Sequence, residues 1–163
     1  ILVANDTFEH VNNLPNTLHE CARVLRPGGR LYVYFPPFYA PWGAHMVNWI
    51  HIPWCQVAFS EKTILNVARQ LEKDGKSINS RLPKETQLNL GESDRIPFVS
   101  HLTLKYFRNV LIETPSLQIE NMKLLPPGWR KHKLINQILS PLTHIPIVQE
   151  MFTAKAVYIL RKI

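Results

Sequence analysis

The sequence predicts an α/β fold in which two neighbouring strands run parallel, and three observations carry that prediction. Ile1-Leu2-Val3-Ala4 is an apolar run of strand length, Leu14 to Leu25 repeats apolar residues at helical spacing, and Arg30 to Phe35 is rich in β-branched and aromatic residues. Strand, helix, tight turn and strand in that order form the right-handed crossover that links parallel neighbours.

The first strand begins without a cap or an initiator methionine, the pattern of a fragment. In the helix, Leu14, Leu18, Cys21, Ala22 and Leu25 share a face, and Pro15 is tolerated in the first turn. Arg26-Pro27-Gly28-Gly29 stops it, because proline cannot continue a helix and glycine accepts the left-handed turn. Pro36 to Pro53 is crowded with proline, aromatics and histidine, which predicts a shaped loop at the C-terminal end of the strand, where α/β sheets place ligands.

Ser60-Glu61-Lys62-Thr63 reads as a helix start, with Ile64, Leu65, Val67, Ala68 and Leu71 as the apolar face until Gly75. Residues 76–97 are polar and weakly patterned, and are read as a mobile lid or insertion. Helical spacing resumes from Thr103 to Glu113. A strand with imperfect alternation follows over Leu117 to Leu125, and Pro126-Pro127-Gly128 breaks the chain. Leu134 to Leu142 is predicted as a short helix inside an insertion over 128–152, and Ala154 to Leu160 as the final strand.

A chain of 163 residues with 45% hydrophobic composition has the size and apolar content of one packed domain. Two distant cysteines, Cys21 and Cys55, encode neither a disulfide framework nor a CxxC metal site, and suit a reducing, cytoplasmic setting. No apolar run reaches the roughly 20 residues that span a bilayer. The net charge of +7 favours anionic partners, but it is diffuse except at Arg130-Lys131-His132-Lys133, which argues against a nucleic-acid interface. Gly128 to Lys131 followed by Leu134, Ile135, Ile138 and Leu139 is the pattern of a peripheral membrane contact, or of a stripe packed on its own domain.

Asn5-Asp6-Thr7-Phe8-Glu9-His10-Val11, the helix end Arg23-Val24-Leu25-Arg26-Pro27-Gly28-Gly29 and the strand Arg30-Leu31-Tyr32-Val33-Tyr34-Phe35 resemble class I S-adenosylmethionine-dependent methyltransferases. The resemblance is close over residues 1–35 and rests on element order beyond them. It implies a partial methyltransferase domain over 1–163: the C-terminal half of a Rossmann-like methyltransferase sheet, mostly parallel, with an antiparallel last strand inserted between two neighbours. It also implies that Ala4, Asn5 and Asp6 lie near the methionine end of S-adenosylmethionine; the alternative is that Asn5 and Asp6 only cap a turn.

The glycine-rich turn and the ribose-binding carboxylate that such a cofactor requires are not in the sequence, which contains no GxGxG. The chain is therefore expected to be inactive alone and to supply one wall of an enzyme that methylates a small-molecule acceptor, with oxygen favoured. The rival expectation is a non-catalytic interaction module. Its exposed first strand would pair with a complementary N-terminal half or with a second copy.

Methyl transfer from a sulfonium is an in-line displacement, and a hydroxyl acceptor also needs proton removal. His45 is the first candidate base and His10 the second, with His51 and His101 less well placed. Asp6, Glu9 and His10 form a D-x-x-E-H run that, with His45, suits magnesium or manganese. The run is similar to the E-x-x-E-H site of some small-RNA terminal 2′-O-methyltransferases and ubiquinone-pathway O-methyltransferases, with Asp6 where those carry glutamate. The plain alternative is a solvated helix start. Phe38, Tyr39, Trp42, Trp49 and Trp54 either wall an apolar or planar acceptor or plug the end of the sheet.

Overall fold

The computed structural model describes residues 1–127, 137, 140–146 and 148–163. Four strands, β1 (Leu2–Asn5), β2 (Arg30–Phe35), β3 (Leu117–Leu125) and β4 (Lys155–Lys162), form one sheet in the order β1-β2-β4-β3. β1 and β2 are parallel, with Leu2 opposite Leu31 and Asn5 opposite Tyr34. β4 is antiparallel to both β2 and β3, so β3 points the same way as β1 and β2. The expected antiparallel last strand between two neighbours is present, and the sheet is mixed.

Helix α1 (Leu14–Val24) bridges the parallel pair; the Asn13 side chain accepts from the Asn16 amide at its start, and Gly28 takes φ +75° in the turn that follows it. Helix α4 (Leu104–Ile112) is capped by Thr103. Both helices bury their apolar faces on one side of the sheet. There Leu18, Ala22, Phe107 and Val110 meet Leu31, Val33, Phe35, Tyr158 and Leu160. A register shift between Ile119 and Asn121 leaves Glu120 as the extra residue of a bulge. That bulge accounts for the imperfect alternation of β3, and it presents Glu120 to Arg30 in a two-pronged ion pair of 2.6 and 2.7 Å.

A second core lies over the C-terminal end of β2. There the loop after Pro36, the short helix α2 (Cys55–Ala58) and helix α3 (Glu61–Lys73) bury Phe38, Met46, Trp49, Ile64 and Leu65 together. Residues 76–97 run as turns without regular structure beyond two short 3-10 pieces, Asn79–Arg81 and Lys84–Thr86. The segment is pinned: Leu90 and Ile96 enter the second core, and buried Asn79 bonds Glu72 and both backbone groups of Leu88.

The predicted helix over Leu134 to Leu142 and the stripe from Gly128 to Leu139 lie largely outside the described residues; Ser140–His144, which is described, is a 3-10 turn. Among the described residues no helix is long and apolar enough to cross a membrane. β1 forms one edge of the sheet, and Val3 on it is 73% exposed.

Candidate functional site

The turn leaving β1 and the loop leaving β2 meet at the end of the parallel pair. After Asn5 the chain kinks through Asp6, whose φ is +47°, into a single 3-10 turn, Phe8–His10. Phe8 anchors this turn in the core beside Phe107, and the adjacent Glu9 is drawn inward with it to 2% exposure. His10 stays at the surface, where its Nδ1 donates to the Phe98 carbonyl at 2.5 Å. That bond places a proton on Nδ1 and orients the ring, with Nε2 4.0 Å from Glu9 Oε1.

His45 arrives from the other loop at φ +55°. Its ring meets that of His10 edge-on, with centroids 5.1 Å apart. One donor atom from each of Glu9, His10 and His45 lies within 4.8 Å of the others. Neither carboxylate oxygen of Glu9 has a hydrogen-bond partner. Burial pushes the Glu9 carboxyl up from its ordinary range, and burial together with the nearby His10 charge pushes His45 down.

Asp6, the other acidic member of the expected set, is not in this group. Its Oδ1 is ion-paired with Lys155 Nζ at the start of β4, and that ammonium also lies 4.9 Å from the centre of the Tyr34 ring. No local pattern links Asp6 to a lysine so far along the chain, so the sequence reading missed Lys155. Ala4 is buried under the sheet end, while Asn5 and Asp6 are exposed beside the turn.

A cavity of 410 Å³ adjoins His45, lined by Pro36, Trp42, Val47, Leu88 and Lys155 among others. Trp42 is the predicted aromatic that lines this cavity together with His45. Phe38 and Trp49 are buried in the second core, Phe38 tilted against the His101 ring and Trp49 stacked on Phe98. Tyr39 lines a different cavity, beside Arg108 and Glu150. Trp54 donates its indole N–H to the Met151 carbonyl at 2.8 Å. His51 is exposed, and His101 pairs with Glu61 at 2.9 Å.

That pairing belongs to a strap the sequence did not reveal. Glu61 accepts from the Ile96 amide as well as from His101, and the Ser100 amide donates to the Glu9 carbonyl at 2.7 Å. Residues 96–101 therefore hold the Glu9-His10 turn from outside, using backbone groups that leave no trace in residue type.

In comparison with known proteins, a family described as "Methyltransferase domain" matches residues 1–33, which take in β1, the Glu9-His10 turn, α1 and the first part of β2. No curated protein matches the chain, and no solved structure does. Over residues 1–33 the chain is thus similar to a methyltransferase domain.

Proposed function

We propose that this chain forms the acceptor side of a Rossmann-like methyltransferase that transfers a methyl group from S-adenosylmethionine to a hydroxyl of a small, partly planar molecule. The observation that supports it most directly is Glu9, a buried carboxylate without a hydrogen-bond partner, set against two imidazoles beside an apolar cavity. Buried carboxylates are ordinarily paired or coordinated, because an isolated one costs several kcal/mol. Ala4, Asn5 and Asp6, at the end of β1, flank the methionine end of the cofactor in this reading. The glycine turn and the ribose carboxylate come from a complementary polypeptide segment.

The orphaned Glu9 oxygens fit a divalent cation held by Glu9, His10 and His45. With Asp6 paired elsewhere, the donors are one carboxylate and two imidazoles, a set that suits manganese better than magnesium. A cation held there would supply positive charge to lower the pKa of the acceptor hydroxyl. Glu9 offsets that charge, the Phe98 carbonyl orients His10, and Trp42 and Val47 wall the acceptor and exclude water. With S-adenosylmethionine bound, the acceptor oxygen would be placed to displace the sulfonium in line, O–C forming as S–C breaks, with the hydroxyl proton passing to a base such as His45.

A second reading is favoured by the opposed shifts of Glu9 and His45. Burial favours the proton on Glu9 and the neutral ring of His45 relative to their ordinary values, and a neutral His45 can itself serve as general base. The non-catalytic alternative, a module pairing through β1, rests on the exposed edge at Val3.

Methyl transfer from labelled S-adenosylmethionine, by this chain joined to a segment carrying the glycine turn, separates the three. The cation reading predicts activity lost in chelator, restored by Mn²⁺, and reduced about 100-fold or more in Glu9→Gln and His45→Ala. Full activity in chelator would leave His45 as the base, and no transfer under any condition would leave the pairing module.

A further inference from the structure

Asp6 stands three residues before Glu9, on the same turn, and its carboxylate is turned to Lys155 and not to the two imidazoles. Asp6 and Lys155 nevertheless belong to the electrostatic surroundings of the site: both act on the charge of Glu9 and of His45. Lys155 also lines the cavity that adjoins His45. Its ammonium is held on two sides, by the Asp6 carboxylate and by the face of the Tyr34 ring. Its backbone is fixed by pairing of β4 with Leu125.

We propose that Lys155 is a latch that withholds Asp6 from the cation, and so sets the number of protein ligands at three. The inference rests on the cation reading of Glu9, His10 and His45. Three protein ligands would leave coordination positions for an acceptor oxygen; a fourth ligand, the Asp6 carboxylate, would tighten the cation and take one of those positions. Lys155 is thus a positioning residue. It acts through Asp6, and the left-handed backbone at Asp6 puts that side chain within reach of β4.

Manganese binding, followed by electron paramagnetic resonance of free Mn²⁺ on the purified chain, tests this directly in four proteins: the natural chain, Lys155→Met, Asp6→Asn and the double variant. Methionine keeps the aliphatic stem of Lys155, and circular dichroism checks that each variant folds. The latch predicts that Lys155→Met binds Mn²⁺ about tenfold more tightly, that Asp6→Asn changes the natural affinity by about twofold or less, and that Asp6→Asn in the Lys155→Met background erases the gain.

A simple field effect of the lysine charge gives another pattern, in which Asp6→Asn costs the same in both backgrounds; that result would overturn the latch and leave the cation site standing. Failure of all four proteins to bind Mn²⁺ would overturn both.

Discussion

Glu9 and His45 are displaced in opposite directions by one cause, the removal of water from around both groups. For Glu9 the folded state holds its proton more tightly than the unfolded chain, so stability falls as pH rises from the ordinary value of 4.5 through the raised one. For His45 the folded state gives up its proton more readily, so stability falls as pH drops below 6.5. Ionising Glu9 in the folded, cation-free protein therefore costs more than in the unfolded chain. Glu9→Gln removes that charge, and thermal unfolding at pH 7.5 in chelator is expected to show a variant about 1 kcal/mol more stable. Its pH dependence should also lack the decline above pH 4.5. A lower melting temperature in Glu9→Gln would mean that the carboxylate has a partner in solution. The D-x-x-E-H spacing, the place of His45 in the loop after the second strand and the resemblance to E-x-x-E-H enzymes singled out Glu9, His10 and His45. They could not exclude Asp6, since its ion pair with Lys155 is made only by the tertiary fold.

At the scale of elements, the loop from Pro36 to His45 is what brings an imidazole to the end of β1. Gln56, buried in α2, ties it down by donating to the Phe38 and Ala40 carbonyls at 2.8 and 2.7 Å. Gly43 closes it: a Cβ there would stand 2.1 Å from the Pro37 carbonyl oxygen and 2.4 Å from that of Phe38, both backbone atoms. Gly43→Ala must therefore open the loop. We expect a loss of about 3 kcal/mol in denaturant unfolding and loss of Mn²⁺ binding, whereas Gly75→Ala, with open space around its Cβ, should keep the site intact. Equal Mn²⁺ affinity in Gly43→Ala would show that His45 is placed by something else. The sequence shows this loop as a loop, from its prolines and aromatics, but not its path. Helices α1, α3 and α4 were readable nearly to the residue from their apolar spacing, with Ser60 marking the start of α3; the Asn13 and Thr103 caps emerge only in the fold. The anchors of 76–97 are single residues far apart, and single buried residues make no period.

For the molecule as a whole, local pattern gave the strands and their crossover, whereas the insertion of β4 between β2 and β3 followed only from the resemblance. Antiparallel pairing of Leu31 with Leu160 involves residues at opposite ends of the chain, and no short-range signal encodes it. That long-range pairing matters to the site: the β4 placed beside β2 carries Lys155 to Asp6, while the parallel pair carries the Glu9-His10 turn to His45. Three distant stretches thus converge on one buried carboxylate. Titration of the purified chain with Mn²⁺ tests that convergence most directly. The account predicts a single saturable site per chain that vanishes in Glu9→Gln while the variant stays folded. Binding of equal strength in Glu9→Gln, or no binding to the natural chain, would contradict it.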